Sequence, residues 1–245
     1  MPTRVAVIGA TGRLGSQVAQ VVSAMPDMTL VASLDSRSDL QEMLGADIAV
    51  DVTLPSVSKT VVEFALSQGI KVLVGTSGWS ADRLKELEKA LEKSPGSAAF
   101  VVPNFSLGST LQTMVAKTIA EHFESIEIVE THHASKVDSP SGTAVRTAEE
   151  IAEVRREREG VIAPHSNQSA RGDQIQGIPV HSLRLNGVLA QQDVVFGGTG
   201  ETLTVSHTTH ARDAYSAGIA LALRFLHQSS GLTVGLEHAV NAPSS

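Results

Sequence analysis

The sequence has no cysteine, few aromatic residues and no basic run. Without cysteine the chain cannot form disulfides, thiolate zinc sites or a cysteine nucleophile, and this excludes thiol-dependent aldehyde dehydrogenation. Aromatic residues make up only 3% of the 245 positions, so Val, Ile, Leu and Ala must build the core, which suits α/β layers. The net charge of −7 and the absence of Lys/Arg clusters argue against nucleic acid as a partner.

Long apolar runs are also missing. No stretch approaches 18 uncharged apolar residues, so we predict no transmembrane helix and no membrane partner. The chain passes from Met1 directly into a predicted strand without a basic and apolar leader, and a cytoplasmic location is therefore expected. Hydrophobic residues still amount to 42%, enough for one large domain or two modest ones.

The first hundred residues alternate between strand-length apolar runs and helix-length segments, which predicts βαβ units around a parallel sheet. The predicted strands are 5–8, 30–34, 48–52, 72–74 and 100–102. The predicted helices are 14–25, 56–68 and 80–93. This part of the chain is therefore expected to form a doubly wound α/β domain.

After residue 104 the rhythm changes. We predict helices at 107–123, 143–158 and 211–227, a strand at 126–131, and a final strand at 232–236. The segments 178–185, 189–196 and 201–207 alternate like antiparallel, half-exposed strands. The first of these helices carries apolar positions at Leu107, Leu111, Met114, Val115, Thr118 and Ile119. The polar stretch 160–177 is too long for an ordinary connection, and a mobile lid and an interface loop are equally open for it.

A glycine-rich turn follows the first predicted strand, in the sequence R-V-A-V-I-G-A-T-G-R-L-G. Gly9 permits a tight turn, Gly12 allows close approach of a pyrophosphate, and Gly15 allows the helix to pack closely on the strand. Asp35 ends the second strand, where an acidic residue is expected to hold a ribose hydroxyl. Arg13 and Arg37 lie where they could meet a 2′-phosphate, so NADH and NADPH both stay open.

Two other classes of nucleotide-binding protein are alternatives to this interpretation. Short-chain dehydrogenases need a tyrosine four residues before a lysine, but the only tyrosine is Tyr215 and position 219 is Ile, which excludes them. A nucleotide-binding sensor without catalysis stays open unless a catalytic group of residues is present.

Such a group occurs in E-T-H-H-A-S-K-V-D-S-P-S-G-T-A, residues 130–144. His132 and His133 follow an apolar strand and point to opposite faces, so they do not suit one metal ion, and no metal is expected. Lys136 supplies a compact positive charge that can bind a carboxylate or donate a proton. Ser141 caps a predicted helix whose first amides, at Gly142 and Thr143, suit a carboxylate.

This segment resembles the signature of the 4-hydroxy-tetrahydrodipicolinate reductase (dihydrodipicolinate reductase) family, E-x-H-H-x-x-K-x-D-x-P-S-G-T-A. The resemblance continues in V-I-G-A-T-G-R-L-G at the first turn, V-G-T-S-G-W at 74–79 and V-P-N-F-S-L-G at 102–108. It also covers G-I-P-V-H-S-L-R-L at 177–185 and G-E-T-L-T-V-S-H at 200–207, so it spans nearly the whole chain in the family's order.

The resemblance implies a cytoplasmic enzyme that reduces a cyclic dicarboxylate with NADH or NADPH, in the diaminopimelate route to lysine. It implies a Rossmann-like dinucleotide-binding domain at 1–104 and 215–245 and an α+β substrate-binding domain with a mixed or antiparallel sheet at 105–214, which forms a homotetramer. His132 would be the acid/base residue and Lys136 the proton donor. The implied substrate-binding residues are His133, Lys136, Ser141, Gly142 and Thr143. The implied cofactor-binding residues are Gly9, Ala10, Thr11, Gly12, Arg13, Leu14, Asp35, Arg37, Gly75, Thr76, Ser77, Val102, Pro103, Asn104 and Phe105.

Three positions depart from the family's usual pattern. Ser135 stands where many members have a third histidine, which puts a proton-shuttle role for this position in doubt. Trp79 replaces the usual Phe and Ser77 the usual Thr, both conservative for packing against a cofactor. The intact His132, His133 and Lys136 argue against a sensor, which need not keep a substrate site.

Overall fold

The computed structural model describes residues 1–92, 94, 96–158 and 160–242. The strands are β1 (Thr3–Ile8), β2 (Met28–Leu34), β3 (Ile48–Asp51), β4 (Lys71–Val74), β5 (Ala98–Val101), β6 (Ser125–His133), β7 (Asp173–Ile175), β8 (Ile178–Leu185), β9 (Ala190–Gly198), β10 (Glu201–Thr209) and β11 (Gly231–Val234). The helices are α1 (Arg13–Ala24), α2 (Pro55–Ser67), α3 (Ala81–Glu92), α4 (Leu107–Ala120), α5 (Gly142–Val154), α6 (Ser216–Gln228) and α7 (Glu237–Val240). Short 3₁₀ turns occur at Leu40–Met43, Ser169–Arg171 and Arg212–Tyr215.

The chain divides into two compact units. The first comprises Met1–Leu107 and the described part of Tyr215–Ser245, and the second comprises Gly108–Ala214. The predicted helix end at Lys93 and the positions 243–245 of the predicted first domain lie outside the described residues. The assignment of a cofactor role to one unit and a substrate role to the other stays a prediction here.

The first unit contains a six-stranded parallel sheet in the order β11-β5-β4-β3-β1-β2. Because β1 has β2 on one side and β3 on the other, the chain reverses direction across the sheet beside β1. Ligands of doubly wound sheets bind outside the carboxyl ends of the strands at such a reversal. The predicted α/β class is confirmed. The topology indicates a ligand site at the residues that follow β1 and its neighbouring strands.

The inner strands of this sheet, β1, β3, β4 and β5, are buried on both faces. In β1, Val5 and Val7 pack in one cluster with residues of α1 and α6, whereas Ala6 and Ile8 pack in the other with residues of α2 and α3. Lys71, at the start of β4, donates hydrogen bonds from Nζ to the carbonyl oxygens of His227 (2.7 Å) and Ser229 (2.8 Å). A lysine thus binds the carbonyl groups at the end of α6 and ties this helix to the first unit.

The second unit contains a five-stranded mixed sheet in the order β10-β9-β6-β8-β7. Residues of α4 and α5 form a core with alternate residues of the sheet, including Ile126, Ile128 and Phe196. On the other face of β8, Leu183 and Leu185 are 44% and 47% exposed. The predicted mixed sheet is confirmed. Strand β8 is antiparallel to the edge strand β7 but parallel to β6, so the expectation of purely antiparallel pairing for β8 is wrong on its β6 side.

Three local expectations need correction. His132 and His133 lie within β6 rather than in a loop after it. The polar stretch 160–177 contains a 3₁₀ turn and the edge strand β7, which pairs with β8. The exposed residues of α4 include Leu111 and Val115, whereas Ser109, Gln112, Ala116 and Ala120 are its buried residues.

Both helices of the second unit end earlier than predicted. The guanidinium of Arg155, the residue that follows α5, donates from Nη1 to the carbonyl oxygens of Ala120 (2.5 Å) and Phe123 (2.8 Å). The side chain after one helix therefore satisfies carbonyl groups at the end of the other, so neither helix needs to continue for its last turn to be stable.

Candidate active site

The turn after β1 brings backbone from two strands into close contact. Gly9 has a positive φ of +88°, and a Cβ atom built there would lie 2.6 Å from the carbonyl oxygen of Val52, just after β3. A Cβ atom at Gly15 would lie 2.0 Å from the carbonyl oxygen of Gly9. Only glycine fits at both positions, so the turn, β3 and α1 are packed as closely as a pyrophosphate-binding turn requires.

The start of α1 suits an anion. Its N-cap residue, Gly12, makes no side-chain cap, and no acidic residue lies in the first turn. The first N–H groups of a helix have no intrahelical partners and carry partial positive charge. The residues therefore fit the pyrophosphate of a dinucleotide cofactor at this helix end.

Asp35 and Arg37 form an ion pair directly after β2. The Asp35 carboxylate accepts hydrogen bonds from the Arg37 backbone N–H (2.8 Å) and from its Nη2 (2.9 Å). The Arg37 hydrogen bonds hold the pKa of Asp35 below its usual value, so the carboxylate is ionised at neutral pH. Since the Arg37 side chain is 88% exposed, it can leave the carboxylate for a phosphate without disturbing the fold.

The ends of β4 and β5 approach each other through Gly75 and Phe105. A Cβ atom at Gly75 would lie 2.6 Å from the Phe105 ring. Buried Thr76 accepts a hydrogen bond at Oγ1 from the Thr53 N–H (2.8 Å), which ties the loop after β4 to the loop after β3. Asn104 accepts a hydrogen bond from the Ser106 N–H (2.9 Å). The remaining predicted cofactor residues lie on the same loops: Ala10, Thr11, Arg13 and Leu14 after β1, Ser77 after β4, and Val102 and Pro103 after β5.

In the second unit, His132 is held by a buried carboxylate two residues earlier on β6. The Nδ1 atom of His132 lies 2.6 Å from Oε2 of Glu130, whose side chain is fully buried. Burial raises the pKa of Glu130, but hydrogen bonds from Arg184, Ser182 and His132 outweigh it and the net shift is downward. Burial lowers the pKa of His132 in spite of its hydrogen bond with Glu130. At neutral pH the pair is therefore a carboxylate and a neutral imidazole.

Lys136 lies on the loop between β6 and α5. Its Nζ donates to both carboxylate oxygens of Asp138, at 2.7 and 2.8 Å, and its side chain is only 19% exposed whereas that of Asp138 is 66% exposed. Arg184, on β8, reaches the same loop because its Nη2 donates to the carbonyl oxygen of Asp138 (2.7 Å). The loop thus presents a cation whose partner is an exposed carboxylate that another anion can replace.

The start of α5 is built as predicted. Ser141 is its N-cap and accepts a hydrogen bond from the Ala144 N–H (3.3 Å), while its own N–H donates to Oε1 of Glu130 (3.1 Å). Gly142 and Thr143 form the first turn, which contains no acidic residue. No atom lies within 4 Å of the place of a Cβ atom at Gly142, so the helix end is open to a ligand.

His133 lies apart from this group. Alternation along β6 directs it to the face opposite His132, and its Nδ1 lies 2.8 Å from Oγ of Ser135. A role in substrate binding stays a prediction for His133. In the described part of the chain no group of three His, Asp or Glu side chains is arranged to hold a metal ion.

Two family models together match nearly the whole chain. Residues 3–105 match the description "dihydrodipicolinate reductase, N-terminus", and residues 106–240 match "dihydrodipicolinate reductase, C-terminus". The chain belongs to the dihydrodipicolinate reductase family. It is therefore an oxidoreductase that uses a nicotinamide cofactor, as members of this family do.

Individual members of the family are similar over most of their length. A 4-hydroxy-tetrahydrodipicolinate reductase from Clavibacter sepedonicus is 56% identical over all of this chain and 88% of its own length. One from Streptomyces coelicolor is 44% identical over 96% of both chains. The solved structure of dipicolinate-bound dihydrodipicolinate reductase from Paenisporosarcina sp. TG-14 has a TM-score of 0.86 at 30% identity and covers 97% of this chain and 99% of its own.

Two residues of this site, Glu130 and Arg184, were missed in the sequence analysis. Both lie in the segments that carry the family resemblance, but neither received a role. Strand alternation could have indicated a role for Glu130, because residues two apart on a strand lie on the same face. A buried carboxylate beside a histidine on that face needs a hydrogen-bond partner. No local signal links Arg184 to this site, because it lies 54 residues from Glu130 and meets it only through the parallel pairing of β6 and β8.

Proposed function

We propose that this chain catalyses the NAD(P)H-dependent reduction of 4-hydroxy-2,3,4,5-tetrahydrodipicolinate to tetrahydrodipicolinate, in the diaminopimelate route to lysine. The observation that carries the proposal is the pairing of Lys136 with an exposed carboxylate beside the open start of α5. A cyclic dicarboxylate needs a cation and a helix N-terminus for its two anionic groups. Family membership supports this substrate.

Residues of the first unit are proposed to bind the cofactor, and residues of the second unit are proposed to bind the substrate. In the first unit, the amides at the start of α1 would hold the pyrophosphate, Asp35 or Arg37 the adenosine ribose, and the residues after β4 and β5 the nicotinamide side. When bound there, the cofactor supplies a hydride to the substrate ring. Because the product lacks the 4-hydroxyl group, that group must leave as water, taking one proton from the ring. The second unit must then stabilise the negative charge that hydride addition leaves on the ring and deliver one proton to it.

Lys136 is the proposed proton donor. Its ammonium group carries three donor hydrogens, and a substrate carboxylate can take the place of the exposed Asp138. His132 is the proposed acid/base residue, because its ring is neutral at neutral pH and its Nε2 is left for the substrate when Nδ1 bonds Glu130. Gly142 and Thr143 would bind a carboxylate through the first turn of α5.

Steady-state kinetics with the purified full chain tests the proposal. The substrate is generated by the synthase that precedes this step, and NADH and NADPH are supplied in turn. We expect oxidation of at least one cofactor that depends on the substrate. No oxidation of either, together with intact cofactor binding, would instead support a nucleotide sensor.

The choice between the cofactors depends on Arg37. We expect Arg37→Ala to lower kcat/KM for NADPH about tenfold more than for NADH, because a guanidinium forms charge-assisted hydrogen bonds to a phosphate and not to a ribose hydroxyl. The matched control is Arg224→Ala, which removes a similar exposed ion pair with Asp27 at the other end of β2. An equal loss with both cofactors in Arg37→Ala would contradict this role.

We also propose that residues 1–104 and 215–245 form the cofactor domain and that residues 105–214 form the substrate domain. The exposed face of β8 with Leu183 and Leu185 supports assembly through the mixed sheet, and a homotetramer is the expected form. Light scattering of the purified chain measures this mass directly. A cytoplasmic location is proposed together with the biosynthetic role; none of the helices in the described ranges is long and apolar enough to cross a membrane.

A further inference from the structure

The ion pair of buried Glu130 and half-buried Arg184 connects three parts of the second unit. Two parallel hydrogen bonds of 2.9 Å join the Arg184 guanidinium to the Glu130 carboxylate. The same carboxylate also bonds the His132 ring and the Ser141 N–H. The same guanidinium also bonds the carbonyl oxygens of Leu183 (2.7 Å) and Asp138. The acid/base histidine, the Lys136 loop and the start of α5 therefore share one anchor.

We propose that Glu130 and Arg184 are the positioning residues of the substrate site, Glu130 by setting the tautomer of His132 and Arg184 by fixing the loop that carries Lys136. The inference rests on the proposed function, and it gives these two residues separable effects. Neither is a catalytic residue, because each acts through a neighbour.

The tautomer follows from the charge on Glu130. An ionised carboxylate only accepts hydrogen bonds, so the 2.6 Å contact requires that Nδ1 of His132 carries the proton. In the neutral ring Nε2 then has a free lone pair, and it can accept a proton from the substrate side. A Gln side chain at 130 can instead donate to Nδ1, which would move the ring proton to Nε2 and remove the acceptor.

The loop argument follows from the contacts of Arg184. A planar guanidinium can bond a carboxylate with two donors and still reach the Asp138 carbonyl oxygen, which lies two residues beyond Lys136. A lysine at this position keeps the positive charge beside Glu130 but cannot make all of these bonds at once. Arg184→Lys should therefore loosen the Lys136 loop while the state of His132 is kept.

Stability alone does not explain such a pair. Replacing a buried ion pair with apolar residues is often neutral or stabilising, because desolvation offsets the attraction between the charges. Here further bonds of the two ions reach three functional segments, namely His132, the loop that carries Lys136 and the start of α5, as a positioning role requires.

The first test is Glu130→Gln, with kinetics and an NMR titration of the His132 ring. We expect kcat to fall about 10- to 100-fold, by analogy with the loss when the hydrogen-bond partner of a metal-bound histidine is removed. The charged groups that act on His132 are Glu130, Lys136 and Arg184, and Glu130 is the one that raises its pKa. The acidic limb of the pH profile and the NMR pKa of His132 should both move to lower pH, with the ring proton on Nε2.

The second test is Arg184→Lys, for which we expect KM for the dicarboxylate to rise about tenfold while the acidic limb and the His132 tautomer stay as in the wild type. Glu127→Gln is the matched control, since Glu127 lies on the same strand and also pairs with an arginine and a histidine, Arg171 and His181. It should leave kcat and the pH limb unchanged.

Two results would overturn the proposal. One is a wild-type pH limb and tautomer in folded Glu130→Gln, even with lower activity. The other is a shared fall in kcat, with unchanged KM, in Arg184→Lys and Glu127→Gln. If Glu130→Gln does not fold, Glu130→Asp takes its place, because aspartate retains the carboxylate but does not reach as far. An unchanged pKa and tautomer of His132 in Glu130→Asp, together with an unchanged KM in Arg184→Lys, would count against the proposal. Because NMR reads His132 without substrate, failure of the proposed reaction in the wild type is distinguishable from failure of this inference.

Discussion

Lys136→Met is expected to lower kcat by about 10² to 10⁴-fold, the usual contribution of a positioned proton donor. Methionine keeps the length and apolar stem of the side chain, so the loop can keep its packing while the ammonium group is lost. KM for the dicarboxylate should also rise, since the same cation would bind a carboxylate. Cofactor affinity, measured by the change in nicotinamide fluorescence on binding, should stay unchanged because the proposed cofactor residues lie in the other unit.

Lys117→Met is the matched control for this variant. Lys117 also lies in the second unit and pairs with a carboxylate, Glu150, at 3.0 Å. We expect near wild-type kcat in the control. Wild-type turnover in Lys136→Met would instead exclude this residue as the proton donor, whereas equal losses in both variants would indicate a general effect of removing a lysine from this unit.

Gly15→Ala is expected to weaken the binding of both nicotinamide cofactors about 100-fold or more. The added Cβ atom would lie 2.0 Å from the carbonyl oxygen of Gly9 and 2.8 Å from Cα of Ala10. These are backbone atoms, so the clash can be removed only if the turn moves away from α1. The amides at the start of the helix would then no longer point together at the pyrophosphate. The midpoint of thermal unfolding should fall as well, because overpacking costs about 1–3 kcal/mol.

Substitutions at two other glycines serve as controls for this result. A Cβ atom at Gly12 would lie 3.2 Å from the Gly9 carbonyl oxygen, so Gly12→Ala should show a smaller loss of affinity. At Gly160 no atom lies within 4 Å of the added Cβ atom, and Gly160→Ala should behave as the wild type. Isothermal titration with NADH and NADPH measures all three. Unchanged affinity in Gly15→Ala would refute the assignment of this turn to the pyrophosphate.

The secondary structure of the first unit was predictable because the interactions that determine it leave patterns within short stretches of sequence. A parallel strand that is covered on both faces must be a continuous apolar run, and Val5–Ile8 is one. The glycines of the first turn are also local requirements, since each is forced by contacts with backbone a few residues away or with the end of a neighbouring strand.

The second unit was less predictable because its neighbours are distant in sequence. Alternation indicates which residues of β8 share a face, but it does not reveal that β6 separates β8 from β9. In α4 the apolar position Leu111 is exposed. The helix instead buries Gln112, whose amide donates to the carbonyl oxygens of Gln192 (2.6 Å) and Val205 (2.8 Å), contacts that no pattern within the helix encodes.

The same distinction applies to the candidate site. His132, Lys136 and Ser141 could be found because they form one short segment with a family signature. The Glu130 and Arg184 pair could not be assigned, because a buried charge is recognised only once its partner on another strand is known.

On the ribosome, the first unit should become stable after the second, although most of its strands are made earlier. The second unit is one continuous stretch, Gly108–Ala214. The core of the first unit needs Ile219, Leu223 and Leu226 from α6, and β11 must pair with β5 to complete its sheet. Nascent chains arrested before α6 emerges should therefore be protease-resistant only in the second unit, and early protection of the first unit would refute this order. The N-terminal strands would then stay without a stable native structure until α6 and β11 have been synthesised.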